Sequence, residues 1–193
     1  MYRELQKESV LKDVAALVGT TREREVLFHD DRQFLGFRIR WLRPELAAEI
    51  CGRHGVNPKS CELIFMTATG LTKCHRHDVG ETVFLTLGAG HGLPEPKGGV
   101  LMAKDTGQPE ITLRPHHQTE GEIIVVAPGM VHAFFADEGG GELNALGFVF
   151  PRIRTAQEEF DAIPYDVVSQ HPYVVRAVRQ DDGDGGPVQF CEW

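Results

Sequence analysis

The stretch that decides the fold of this chain runs from Gly70 to Gly88 and reads GLTKCHRHDVGETVFLTLG. Side chains alternate between the two faces of a strand, so the spacing predicts that His75 and His77 point the same way. The composition of Asp78 to Gly80 predicts a turn, after which Glu81 begins a return strand. Two imidazoles and a carboxylate just past a turn supply most of the ligands of a first-row metal ion.

A second stretch, from Gly121 to His132, reads GEIIVVAPGMVH. Its apolar run predicts a buried strand, and the pair Pro128-Gly129 predicts a turn. His132 then stands at the start of the next strand. If that strand lies against the first stretch, His132 would complete a set of three nitrogens and one oxygen around one cation.

The texture between Cys61 and Phe150 is that of an all-β domain. Short β-prone runs alternate with Gly, Pro and Asp at intervals of about ten residues, which is typical of a sandwich or barrel. We predict strands near 62–68, 72–77, 81–87, 98–104, 110–114, 122–127, 131–136 and 142–150. Eight short strands fit a double-sheet jelly roll.

The flanking segments carry helical and β patterns of their own. The predicted elements are an amphipathic helix over 4–18, a hairpin from 25–29 and 33–41, a short helix over 45–53, a helix over 155–163 and a strand over 172–179. We therefore divide the chain into an N-terminal helix and hairpin extension packing on the barrel (1–59), the β-barrel (60–150), and a C-terminal helix, strand and acidic tail (151–193).

The composition narrows the class of protein. The chain has 193 residues, of which 41% are hydrophobic, so it can fill the core of a single domain. Its formal net charge of -8 argues against nucleic-acid partners and membrane surfaces, because both require a basic face. No apolar run approaches the roughly 20 residues that span a bilayer. We expect a cytoplasmic protein with four free thiols, since no CxxC pair is present.

The two quoted stretches resemble the two sequence motifs of the cupin superfamily. The first matches its HxH, glutamate and glycine pattern, and the second matches its glycine, proline-containing turn and histidine; together they cover residues 70–132. This resemblance implies an all-β double-stranded β-helix, or jelly-roll barrel, with short flanking helices. It also implies that His75, His77, Glu81 and His132 bind one divalent metal ion, and that the protein is a homodimer, with Phe84 and Phe148 as candidate interface groups.

Alternation along the strands extends this prediction to the wall of a pocket. If the ligands point inward, apolar residues of the same parity lie beside them. The predicted pocket-lining residues are Met66, Val83, Leu85 and Phe134. Such a pocket suits a small-molecule substrate held mainly by the metal and by shape.

The ligand set suits Fe(II), Mn(II), Ni(II), Co(II) or Zn(II). Few inward titratable groups are predicted besides the ligands, which favours oxygen chemistry at Fe(II) and hence a non-haem dioxygenase. One alternative is a metal-dependent isomerase, epimerase or lyase that uses the metal as a Lewis acid beside a general base. Another is a non-catalytic barrel that binds or senses a small molecule. No residue beyond the metal centre is assigned a catalytic role.

Overall fold

The computed structural model describes residues 2–34, 36–77, 80–150, 162–171 and 174–179. The helices are α1 Tyr2–Thr20 and α2 Pro44–Arg53, with single 3-10 turns at Arg24–Leu27 and Ala89–His91. The strands are β1 Phe28–Phe34, β2 Phe37–Leu42, β3 Glu62–Ala68, β4 Cys74–His77, β5 Glu81–Leu87, β6 Gly98–Lys104, β7 Glu110–His117, β8 Ile123–Val126, β9 Met130–Ala136, β10 Leu143–Phe150, β11 Ala162–His171 and β12 Val174–Arg179.

The strands form two antiparallel sheets. Sheet A has the order β1-β2-β3-β10-β5-β8, and sheet B closes into a ring with the order β11-β12-β7-β6-β9-β4. The eight strands between residues 62 and 150 divide equally, with β3, β5, β8 and β10 in sheet A and β4, β6, β7 and β9 in sheet B. This is a double-sheet jelly roll, so the predicted all-β fold class is confirmed.

The flanking segments lengthen both sheets. The β1–β2 hairpin joins sheet A along β3, with Ile39 opposite Met66. At the other end of the chain, β11 pairs with β4 and β12 with β7, which closes the ring of sheet B. The helix predicted over 155–163 falls largely on 151–161, outside the described residues, and its last two positions belong to β11.

The core consists of three clusters of buried apolar residues. The helix-side cluster packs α1 and α2 against one face of sheet A through residues such as Leu11, Phe65 and Leu85. The inter-sheet cluster fills the space between the other face of sheet A and sheet B, and includes Met66 and Phe134. The third cluster draws residues from all six strands of sheet B and fills its ring. The strands β3, β5 and β10 of sheet A are therefore buried on both faces.

Two further expectations bear on surfaces. No helix within the described ranges has the length and apolar character that crossing a bilayer requires. Phe84 and Phe148, expected from the sequence as interface groups, are only 5% and 1% exposed in the single chain. They belong to the core because both faces of sheet A are covered. The homodimer stays a prediction, and its interface cannot rest on these two side chains.

Candidate metal centre

Strands β4 and β9 position three histidines. His75 and His77 lie two residues apart on β4 and therefore share a face. On β9, His132 stands directly opposite His75 in the antiparallel register. Side chains in such cross-strand pairs have Cβ atoms about 5 Å apart, so the backbone pairing alone brings the imidazoles of the two strands together.

The turn before β9 fixes this register. Pro128 and Gly129 occupy the two central positions of a β-turn closed by the 3.1 Å hydrogen bond from the Met130 N–H to the Ala127 carbonyl. Gly129 has φ of 77°, a left-handed conformation that glycine adopts without strain. Its N–H donates to the carbonyl of His77 at 2.8 Å. The turn is thus tied to the end of the strand that carries the other two histidines.

The three imidazoles converge on one point. One ring nitrogen from each of His75, His77 and His132 lies within 4.8 Å of the other two. The Nε2 atoms of His75 and His77 are 3.0 Å apart, and the ring centroids of His75 and His132 are separated by 4.4 Å. His132 is only 4% exposed, and the other two are half-buried.

Backbone carbonyls determine which nitrogen of two rings carries the proton. Nδ1 of His75 lies 2.9 Å from the Lys73 carbonyl, and Nδ1 of His132 lies 3.1 Å from that of Met130. Because a carbonyl only accepts, each Nδ1 must donate its hydrogen, and in a neutral ring Nε2 then keeps its lone pair. Carbonyls that hold histidines in this way are the usual supports of metal-binding imidazoles.

Burial keeps these rings neutral. Burial and, to a smaller extent, neighbouring His75 together lower the pKa of His77 to about 3. Burial also lowers the pKa of His75, and it holds the pKa of His132 well below its usual value. Neutral imidazoles are the form that binds metal ions, so near pH 7 the cluster needs no deprotonation before it can act as a ligand set.

The spacing of the nitrogens fits a single ion. Two nitrogens bound at about 2.1 Å and at a right angle lie about 3.0 Å apart, which is the His75–His77 separation. Nε2 of His75 keeps a lone pair, so that short approach needs a proton on the facing nitrogen or a cation between the two. The donor set of three imidazoles therefore fits a divalent first-row metal.

The residues of β4 that alternate with the two histidines, Cys74 and Arg76, face the other way. Cys74 lies in the cluster inside the ring of sheet B, where burial raises the pKa of its thiol to about 12. Arg76 forms an ion pair with Asp105, which also accepts a 2.6 Å hydrogen bond from the hydroxyl of Tyr165. Neither Cys74 nor Arg76 joins the histidines, in agreement with strand alternation.

The structure does not bring Glu81 into the group. Its carboxylate forms an ion pair with Lys7 of α1, and no carboxylate among the described residues joins the three histidines. Glu81 does line, with His77 and Thr82, a small cavity of about 10 Å³. The fourth ligand predicted from the motif is therefore close to the centre but turned toward the helix.

The same orientation corrects half of the predicted pocket wall. Val83 and Leu85 share the parity of Glu81 and pack in the helix-side cluster beneath α1. Phe84, between them, points into the inter-sheet cluster with Met66 and Phe134. The inward face of β5 is thus the one opposite to that predicted, because β4 and β5 belong to different sheets and alternation along one strand does not carry over to the other.

No sequence pattern indicates that Lys7 contacts Glu81. Lys7 lies 74 positions before Glu81 and makes this ion pair with a side chain that is 15% exposed. Nothing local to α1 distinguishes Lys7 from the other charged residues of that helix. Only the packing of α1 over sheet A brings it to the site.

No protein-family model matches the chain, and no curated protein matches it. Solved structures overlap with it partially. Vicilin from Corylus avellana (hazelnut) has 13% identity and a TM-score of 0.47 over 72% of this chain and 33% of its own. CapF from Staphylococcus aureus has 10% identity and a TM-score of 0.48 over 69% and 33%, and KdgF from Halomonas sp. has 11% and 0.41 over 64% and 89%. The chain spans about a third of the vicilin and CapF chains.

Proposed function

We propose that this chain is a metal-dependent cupin enzyme that acts on a small organic molecule at the centre formed by His75, His77 and His132. The observation that carries the proposal is the convergence of three imidazoles, two of which have Nδ1 held by a backbone carbonyl and Nε2 left as a donor of electrons. Structural histidines in a core normally pair with a hydrogen-bonding partner; here the ring nitrogens face one another.

Within this proposal, a non-haem Fe(II) dioxygenase is the first candidate. A bound Fe(II) ion would supply redox chemistry with dioxygen and leave coordination positions for a chelating substrate. The chain itself supplies three neutral ligands, which do not cancel the charge of a divalent ion, so the centre favours an anionic or ionisable substrate. The inter-sheet cluster, which includes Phe134 beside His132, gives the substrate an apolar wall.

A metal-dependent isomerase or lyase is the second candidate, and one observation favours it. Such a reaction needs a general base near the metal, and Glu81 shares a small cavity with His77. Its ion pair with Lys7 counts against that role, because it holds the carboxylate toward α1 and outside the histidine group. A ligand-binding barrel without turnover is the third candidate.

Metal content and oxygen uptake test the proposal together. Protein purified without chelator is analysed for metals, loaded with Fe(II), and assayed in an oxygen electrode with thiols, catechols and diketones. We expect uptake with one of these classes in the wild-type protein and none in His77→Ala. Equilibration of sugars or keto acids without oxygen uptake would support the isomerase, and a retained ligand without turnover would support the binding protein. Failure to bind any divalent metal would refute all three.

A further inference from the structure

A second cavity lies on the helix side of sheet A, away from the histidines. It has a volume of about 370 Å³ and is lined by residues in and next to β1, β2, β3 and β10, among them Gln33, Arg40, Phe65, Thr69 and Asn144. Phe65 belongs to the helix-side cluster, whereas its neighbour Met66 points into the inter-sheet cluster. Sheet A therefore separates this cavity from the proposed metal centre.

Arg40 is one of four charged residues that line this cavity, with Glu25, Arg38 and Glu142. Its side chain is only 12% exposed. The guanidinium carbon lies 4.6 Å from the ring centroid of Phe65 and 5.1 Å from that of Phe28, so two aromatic rings support the cation. Nε of Arg40 is buried and has no hydrogen-bond partner among the described residues. A buried guanidinium without a hydrogen-bonded acceptor is costly unless something supplies one.

No carboxylate among the described residues lies within hydrogen-bond distance of the Arg40 guanidinium. Its only ion pair in the described structure is with Glu25, at 3.9 Å, and the Glu25 side chain is 78% exposed. The other arginine of the cavity, Arg38, is already paired with Asp31, at 2.8 Å through Nε. Glu142 accepts a hydrogen bond from the amide of Asn144. Burial lowers the pKa of Arg40, with a smaller contribution from Arg38, whereas the carboxylates of Asp31, Glu25 and Glu142 act in the opposite direction; a guanidinium keeps its charge at any physiological pH.

We propose that this cavity binds a small organic acid, that is, an apolar body carrying a carboxylate or phosphate group, with the oxyanion on Arg40. The oxyanion would take the place beside the guanidinium that Glu25 now occupies loosely. Gln33 and Thr69 offer further polar groups, and Phe65 offers an apolar wall. The volume falls within the range of about 300–1,000 Å³ that is usual for small-molecule sites. The proposal does not rest on the metal centre.

Calorimetric titration of the full chain in the presence of a chelator tests the proposal. The probes are benzoate, phenyl phosphate and the neutral benzamide. We expect saturable binding of at least one of the two acids, at least tenfold tighter than that of benzamide, and the tighter of the two identifies the oxyanion. Arg40→Gln should weaken this binding at least tenfold, while Arg40→Lys should retain part of it. His77→Ala should leave it unchanged, because that residue lies across the sheet.

Two surface variants complete the test. Glu25→Gln removes the competing carboxylate from an exposed position, so it should fold normally and bind the acid probe twofold to fivefold more tightly. Arg43→Gln removes a positive charge that does not line the cavity, and it should bind as the wild-type protein does. Equal binding of acids and benzamide, unaltered binding in Arg40→Gln, or loss of binding in His77→Ala would each overturn the proposal.

Discussion

Strands β4 and β5 are only three residues apart in the chain, yet they present their polar side chains to different parts of the molecule. His77, at the end of β4, faces the other histidines. Glu81, at the start of β5, faces Lys7 on α1. The histidines are fixed by hydrogen-bonded pairing within sheet B, whereas β5 belongs to sheet A. Backbone pairing between two adjacent strands therefore fixes the positions of the three histidines. The position of Glu81, which lies in the other sheet, is not fixed by that pairing.

The largest effect that tests this comparison is the loss of a histidine from the paired strands β4 and β9. His132→Ala should weaken the binding of Zn(II) or Co(II) at least a thousandfold, about 4 kcal/mol, because it removes one of three nitrogens. Competition with a chromogenic chelator measures the affinity. The matched control is His117→Ala, an exposed histidine that pairs with Asp137 outside the cluster. A loss of less than tenfold in His132→Ala would separate His132 from the centre.

The next effect compares the two faces of β5. Leu85→Ala and Phe84→Ala should each lower the free energy of unfolding by about 3 kcal/mol, since both side chains are at most 5% exposed. Urea denaturation measures this loss. Only Phe84→Ala should also weaken metal binding, by about threefold to tenfold, because its ring lies 4.7 Å from that of Phe134, beside His132. A reversed pattern would mean that Leu85 faces the pocket after all.

Local sequence patterns predicted some of these features and missed others. Alternation within β4 and the pattern of short strands predicted the histidine faces and the eight jelly-roll strands, because both depend on local periodicity. The parity of β5 was wrong for Val83 and Leu85, since counting across a turn assumes a conformation that no local pattern specifies. Lys7 and the Arg40 cavity depend on contacts between distant segments, and such contacts leave no signal in either segment by itself.

Acid should lower the stability of the metal-free protein through its buried histidines. The unfolded chain takes up protons on histidine near pH 6.5, whereas burial lowers the pKa of His77 in the folded state to about 3. Below pH 6.5 the unfolded state therefore binds more protons, and stability falls as pH falls toward 3, by about 1.4 kcal/mol per pH unit for each such histidine. Urea unfolding of the metal-free protein at pH 6.5, 5.5 and 4.5 measures the slope.

His77→Gln isolates this contribution, because other titrating groups are common to both proteins. As pH falls over the same range, the free energy of unfolding of the variant should decrease less steeply than that of the wild-type protein, by about 1.4 kcal/mol per pH unit. Parallel slopes would show that His77 is protonated in the folded state. Excess Zn(II) should raise the wild-type curve above pH 5.5 by a constant amount without changing its slope, because the folded-state pKa of His77 is already about 3 and binding there displaces no proton.

The smallest expected effect is that of Glu81, at the start of β5 in sheet A. Glu81→Gln should change metal affinity by less than threefold and stability by less than about 1 kcal/mol, because Glu81 pairs with Lys7 at a partly exposed site, outside the histidine group. Lys12→Met, which breaks an exposed pair with Glu8, is the matched control for Lys7→Met. A loss of tenfold or more in Glu81→Gln, with tighter binding in Lys7→Met but not in Lys12→Met, would mean that Glu81 leaves Lys7 for the ion. The four-ligand set implied by the sequence motif would then be restored.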